Sequence, residues 1–225
     1  LLVIIQARMK SSRLPGKVLK KIDKENILEK ILNSLKKCEN IDGIIIATSK
    51  HKSDNKIVNF CIKNKVNYFR GDLKNVSSRF YNILKKKNYD FFLRVCADSP
   101  FLDFKNVKKF IKIAKKSKYN IITNTLNRTF PKGQSIEIFK TNFFVKNFKK
   151  IKNKNDLEHV SKYFYKNKEK FKIKNISLSK NLSHINLCVD TPDDLRRAKK
   201  ITKIIERKFK SNFSMKNLVK VFKIS

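Results

Sequence analysis

Leu1-Leu2-Val3-Ile4-Ile5-Gln6-Ala7-Arg8-Met9-Lys10-Ser11-Ser12-Arg13-Leu14-Pro15-Gly16-Lys17 joins two unlike kinds of chain. The first five residues are apolar and rich in β-branched side chains, which reads as a strand buried on both faces. The remainder is a loop with two serines, a Pro-Gly turn and four cations. Turn N–H groups, hydroxyls and Arg or Lys side chains together make the chemistry of a phosphate cradle. The Gly-x-x-x-x-Gly-Lys-Ser/Thr pattern of a Walker A loop is absent, and an ordinary basic surface loop would carry many of the same residues.

Outward from this strand and loop, apolar strands and amphipathic helices alternate. Residues 25–37 carry Ile27, Leu28, Ile31, Leu32 and Leu35 on one helical face. Further strands are expected at 44–47, 66–69, 91–95 and 119–124, with helices at 54–64, 76–87 and 103–116 between them. The alternation predicts an α/β fold with a mostly parallel sheet and helices on both faces. Residues 125–182 are less regular and are expected to form a small inserted lobe. It would hold a strand at 134–139, helices at 141–150 and 155–166, and a strand at 173–178. Residues 185–189 are expected to return to the sheet. A long helix over 192–208 should start at Thr191 and Pro192, with Asp193 and Asp194 at its positive end. The 225 residues, 40% hydrophobic, suit one domain.

The formal charge of +37 invites a nucleic-acid reading. Yet 46 of the 55 basic residues are Lys, spread along the whole chain, and Asn, Ile and Phe abound while Gly, Pro and Trp are scarce. That is the signature of A/T-rich codons and of a diffuse solvated face, so no specific nucleic-acid partner is expected. No apolar run approaches the roughly 18 residues that span a bilayer. The chain opens without a basic flank, so no signal peptide or membrane insertion is expected, and the expected location is cytoplasmic. Cys38, Cys61, Cys96 and Cys188 lack zinc spacing and read as reduced, structural thiols. The chain does not begin with Met, so a residue or more is expected upstream.

In such a chain the scarce residues carry information. Gly, Pro and Arg cluster in five segments, 6–18, 70–80, 94–103, 128–139 and 188–195, and three of these come directly after expected core strands. In open α/β sheets the ligand crevice lies at the carboxyl ends of the strands. Asp98 and Asp190 each end an expected strand and precede a helix start. Two carboxylates beside a phosphate cradle suit Mg²⁺, which takes one or two carboxylates plus phosphate oxygens. Either could instead only cap its helix, although Thr191 is the better cap for the second.

These segments resemble the sugar-acid cytidylyltransferases, which include the CMP-Kdo and CMP-acylneuraminate synthetases, and most closely the spore-coat polysaccharide biosynthesis protein F group. The resemblance rests on IIQARMKSSRLPGKVL and then, in order, FRGDLKNVSSRFY, RVCADSPFLD, TFPKGQSIEIF, DLEHVSKY and VDTPDDL. It implies a single-domain nucleotide-diphospho-sugar transferase fold (GT-A or Rossmann-like), usually dimeric. By position it implies that Arg8, Ser12, Arg13 and Lys17 hold a triphosphate, that Gly71 lies close to the nucleotide, and that Asp98 and Asp190 hold magnesium. Lys132, Glu137, Glu158 and His159 match the sugar side; taken alone, His159 reads as structural and Glu158 equally as a helix-surface acid. Three departures from the family's pattern stand at Cys96-Ala97, Ser135 and Ser77-Ser78.

The reaction so implied is transfer of CMP from CTP to a sugar acid with release of pyrophosphate, for surface polysaccharide biosynthesis. Arg13 and Lys17 would offset charge on the leaving group, with Asp98 and Asp190 completing the catalytic set. A glycosyltransferase using a preformed nucleotide-sugar is the rival within the fold. A basic RNA-binding module would need aromatics interleaved with basics on one exposed face, whereas the phenylalanines here sit at core-like spacings.

Overall fold

Along the first strand the side chains alternate between two separate apolar cores. Val3 and Ile5 enter one, Leu2 and Ile4 the other, and all four are inaccessible to solvent. Period-two alternation of a strand with both faces covered produces the continuous apolar run seen in the sequence. The computed structural model describes residues 1–86 and 88–223. In chain order the elements are β1 (Leu2–Gln6), a hairpin of β2 (Lys21–Ile22) and β3 (Glu25–Asn26), α1 (Ile27–Lys36), β4 (Gly43–Ser49), α2 (Asn55–Lys63) and β5 (Asn67–Gly71). Then come α3 (Val76–Leu84), β6 (Phe91–Cys96), α4 (Phe104–Lys115), β7 (Ile121–Thr123), β8 (Glu137–Lys140), α5 (Thr141–Phe148), α6 (Lys154–Glu158), α7 (Lys162–Lys166), β9 (Ile173–Asn175), α8 (Pro192–Phe209) and α9 (Met215–Phe222).

The main sheet has the order β5-β4-β1-β6-β8-β7-β9. β8 pairs antiparallel with both β6 and β7, while the other pairs are parallel. The sheet is therefore mostly parallel, as the alternation of elements implies. Helices α1, α2, α4, α8 and α9 pack on one face, and α3, α5 and α7 on the other. The second core is largely aromatic: Phe92 stacks on Phe139 at 5.1 Å and meets Phe144 edge-on at 5.2 Å. Phenylalanine thus builds the interior here.

Local signals explain several boundaries. The Asn26 side chain accepts from Glu29 N–H while Glu29 reaches back to Asn26 N–H, a capping box that starts α1. Thr191 and Asp194 do the same for α8, with Pro192 in its first turn. α8 ends where Lys210 turns left-handed at φ 47°.

Four expectations need correction. Residues 185–189 do not join the sheet. Both edges of β1 are taken by β4 and β6, and the far edge of β6 by β8, so the segment finds no free edge beside these central strands. It runs extended beside the 131–133 turn instead, with an isolated bridge between Lys132 and Asn186, and buries Ile185, Leu187 and Val189. The helix expected over 155–166 breaks into α6 and α7, because His159 leaves helical geometry at φ −106°, ψ 82° and Val160 turns into the core. The strand expected from 134 begins at Glu137. The helix expected over 76–87 closes at Leu84, and its last position, Lys87, lies outside the described residues. The β2–β3 hairpin and α9 were not expected, although Met215, Leu218, Val219 and Phe222 stand at helical spacing in α9. Among the described residues, no helix is long and apolar enough to cross a membrane.

Candidate active site

β1 and β6 are neighbours and parallel, so Gln6 and Cys96 end on the same rim. The cradle loop leaves β1 there and Asp98 leaves β6 there. The loop is closed by Gly16, whose N–H donates to Met9 O at 2.9 Å. Gly16 adopts φ +70°, a left-handed conformation that glycine takes without strain. Buried Asp54 pins the loop from outside. It accepts from Met9 N–H at 2.7 Å and from Ser49 N–H and Thr48 Oγ1 at 3.1 Å each. In sequence Asp54 looks like no more than a helix cap, and its tie to the loop was missed.

Asp190 reaches the rim by another route. Val189 N–H donates to the Asp98 carbonyl at 2.8 Å, which sets the second acid beside the first. Asp194 then accepts from the backbone N–H groups of Asp190 and Thr191 at 3.0 and 2.9 Å. Burial would raise the Asp194 carboxyl, but these N–H donors, Thr191 and Arg197 hold it below its ordinary value. It stays ionised and orients the turn.

The two carboxylates converge on one ammonium. Lys17 Nζ lies 2.6 Å from Asp190 Oδ1 and 3.5 Å from Asp98 Oδ2, and Arg13 Nη2 is 3.1 Å from Asp190 Oδ2. Burial would lower the Lys17 pKa, but the two aspartates together raise it. A cavity of about 410 Å³ opens over this cluster. Its wall holds Arg8, Ser12, Arg13, Lys17, Asp98, Glu158, His159 and Asp190 from the expected set. Arg8 Nη1 pairs with Glu158 Oε1 at 3.2 Å across it.

A second cavity of about 590 Å³ shares Arg94, Cys96, Asp98 and His159 with the first. Glu137 lines it and is 3% exposed. It forms an ion pair with Arg94, and its Oε1 accepts from Tyr165 Oη at 2.7 Å and Thr125 Oγ1 at 3.3 Å. Burial alone would push the Glu137 carboxyl up; Arg94 and the hydroxyl donors bring it below its ordinary value. Arg94 also donates from Nε to Gln6 Oε1 at 3.0 Å, tying this network to β1. Cys96 and Cys188 line the second cavity, and burial raises both thiols, Cys96 to about 11. They are neutral at physiological pH.

The structure does not bring Gly71 or Lys132 to either wall. Gly71 ends β5 beneath Arg79; a Cβ there would stand 2.7 Å from Arg79 Cγ. The glycine therefore makes room for Arg79, which is 1% exposed and does line the first cavity. Arg79 Nη1 donates to Ala47 O at 3.0 Å, and burial lowers its pKa to about 10. Arg79 and Arg94 were missed as site residues. Their signal was arginine inside apolar segments of a chain that otherwise uses lysine. Lys132 is exposed, and it is its backbone that bridges to Asn186.

Among the described residues, no group of three or more His, Cys, Asp or Glu side chains could hold a metal ion. The pair Asp98 and Asp190 nonetheless fits a hard divalent cation. Their oxygens meet at a single positive charge, and such an ion completes its shell with phosphate oxygens and water.

Comparison with known proteins gives the family and the fold. Residues 2–223 match the family model for cytidylyltransferases. The uncharacterised protein MJ1063 of Methanocaldococcus jannaschii is 36% identical over 195 residues, 86% of this chain and 79% of that one. Spore coat polysaccharide biosynthesis protein SpsF of Bacillus subtilis is 34% identical over 107 residues, 46% of this chain and 45% of SpsF, so under half of each is matched. The structure of a cytidylyltransferase from Leptospira borgpetersenii superimposes with a TM-score of 0.91 at 29% identity, covering 98% of this chain and 92% of that one. A nucleotidyltransferase fold, a cradle loop after the first strand and two converging aspartates thus meet in one chain, and that chain belongs to the cytidylyltransferase family.

Proposed function

We propose that the protein transfers CMP from CTP to a sugar acid and releases pyrophosphate. The observation that carries this reading is the convergence of Lys17 on Asp98 and Asp190 beneath the cradle loop. In this reading Arg8, Ser12, Arg13 and Lys17 receive the triphosphate. Each basic side chain among them already faces a carboxylate, so phosphate oxygens would exchange with Asp190 and Glu158 for the same donors. Mg²⁺ held by Asp98 and Asp190 would supply charge neutralisation and polarisation of the α-phosphate.

A hydroxyl oxygen of the acceptor attacks the α-phosphorus. The bond from that phosphorus to the bridging oxygen breaks, pyrophosphate leaves with the electron pair, and the hydroxyl proton passes to solvent water. Catalysis is mostly positioning and charge stabilisation, so the residues act by holding the two substrates in line. Arg13 and Lys17 neutralise charge growing on pyrophosphate. The acceptor would sit in the second cavity near His159, with Glu137 acting through the Arg94 and Tyr165 groups it orients, and Glu158 at the boundary. Lys132 could serve the acceptor only after movement of the 131–133 turn. We also infer a cytoplasmic homodimer of a single domain, with residues 125–182 as its sugar-side and contact lobe, working in surface polysaccharide synthesis.

The test is a pyrophosphate-release screen of CTP and the other nucleoside triphosphates, with Mg²⁺, against sugar acids and phosphosugars. CTP with a sugar acid is expected to give turnover. Release only with another nucleotide, or only with neutral sugars, contradicts the proposal.

A further inference from the structure

In the walls of the two cavities, most cations are already paired with carboxylates. Lys17 faces Asp98 and Asp190, Arg94 faces Glu137, Arg8 faces Glu158, and Lys166 faces Asp156 at 2.8 Å. Arg128 differs. It lines the second cavity, and among the described residues no carboxylate lies within ion-pair distance of it. Its Nη2 donates to the Ser135 hydroxyl at 3.0 Å, and its Nη1 is shielded from solvent and, among the described residues, has no hydrogen-bond partner. A guanidinium offers five N–H donors and cannot shed its charge to relieve the mismatch. Leaving such donors unmet costs free energy that an incoming acceptor atom would recover. The Lys162 ammonium, in the same wall, donates to the neutral Asn155 side chain and, among the described residues, has no carboxylate within ion-pair distance.

We propose that the second cavity is an oxyanion subsite for the acceptor, in which half-buried Arg128, seated on Ser135 beside the Asp98 rim, grips the acceptor's anionic group with Lys162 as the second cation. A guanidinium can offer a carboxylate or a phosphate a bidentate fork, and here a small shift of the side chain would turn Nη1 toward the cavity. Ser135 matters because a hydroxyl holds the guanidinium without neutralising it, so the charge stays available. The inference rests on the cytidylyl-transfer reading for the identity of the bound molecule, but not for the presence of the subsite.

The experiment is a calorimetric titration of pyruvate, as the carboxylate probe, and of inorganic phosphate, as the other source of an oxyanion. Each is run with saturating CTP and Mg²⁺ to fill the first cavity, and again without nucleotide. Wild type, Arg128→Lys and Arg128→Gln are compared. One probe should bind wild type in the presence of CTP. Arg128→Gln should weaken it tenfold or more and Arg128→Lys by less, while CTP affinity changes less than twofold, which also reports that the variants fold. Preference for pyruvate assigns a carboxylate; preference for phosphate assigns a phosphorylated acceptor. Binding of neither probe to wild type, equal binding to Arg128→Gln, or a loss confined to CTP overturns the subsite. If CTP fails to bind at all, the transfer reading fails, and the nucleotide-free titrations still decide the role of Arg128.

Discussion

Two clusters of opposite charge lie side by side in this molecule and are built differently. Lys17 with Asp98 and Asp190 is open: the Asp190 side chain is 30% exposed, one contact is loose at 3.5 Å, and Arg13 competes for the same carboxylate. Arg94 with Glu137 is closed: the acid is 3% exposed, and Tyr165, Thr125 and Gln6 complete its network. An open cluster can exchange partners when phosphates arrive. A closed one has no spare acceptor on its protein side and holds its neighbours still. Under the proposed function, similar residue types would act on the substrates in one place and as a frame in the other, with burial deciding which.

Breaking the open cluster should cost the reaction most. Asp98→Asn is expected to lower turnover by on the order of a hundredfold or more, since removing a metal carboxylate forfeits several kcal/mol of transition-state stabilisation. Its unfolding midpoint in urea should stay close to wild type. Near-wild-type pyrophosphate release at saturating Mg²⁺ would remove Asp98 from the metal site.

Breaking the closed cluster should instead cost the fold. Glu137→Ala strands a buried guanidinium, and removing one partner of a buried pair costs about 3–5 kcal/mol. Equilibrium urea denaturation reads this directly, and a loss under about 1 kcal/mol would mean that the pair is not a frame.

A smaller effect separates the two cations of the cradle. Lys17→Ala should weaken CTP by about tenfold, roughly 1.4 kcal/mol, and CMP by much less, because CMP lacks the outer phosphates. Arg13→Ala should do less, since its side chain is 63% exposed and exposed ion pairs contribute little. Equal losses for CTP and CMP in a binding titration would move both residues off the triphosphate.

The smallest expected effect is on acid stability. The Glu137 carboxyl lies below its ordinary 4.5 in the folded chain. A lowered carboxyl contributes stability that is fully present above the unfolded value and is lost as pH falls through the folded value. Wild type should therefore lose stability below about pH 4.5, and Glu137→Gln should flatten that part of the curve. Parallel curves for the two proteins would show that another carboxylate sets the acid limb.

The open cluster was legible in the sequence, and the closed one only partly. Arg13, Lys17, Asp98 and Asp190 stood out because they flank turns in a chain poor in Gly and Pro, and the structure does bring them together. Glu137 was marked through family resemblance, but its partner Arg94 was hidden inside an apolar strand, where no local pattern names the strand across from it. The same limit explains residues 185–189. Burial of Ile185, Leu187 and Val189 alternates as in a strand, yet a sheet needs a free edge, and β8 had taken the one beside β6. Asp194 was legible as a helix-start residue, and Asp54 only as the first position of an expected helix; their task of fixing the Asp190 turn and the cradle loop depends on contacts that only folding creates.

The most direct test reads both clusters in one experiment. Asp190→Asn and Glu137→Gln are compared with wild type for pyrophosphate release, using CTP, saturating Mg²⁺ and the best acceptor from the sugar-acid panel. Thermal unfolding is recorded on the same preparations. Asp190→Asn is expected to lose nearly all turnover and keep its melting temperature, while Glu137→Gln melts several degrees lower, a shift of the size that about 1 kcal/mol produces. Asp190→Asn with near-wild-type turnover and a lowered melting temperature would contradict the claim that the Lys17, Asp98 and Asp190 cluster is the reaction centre.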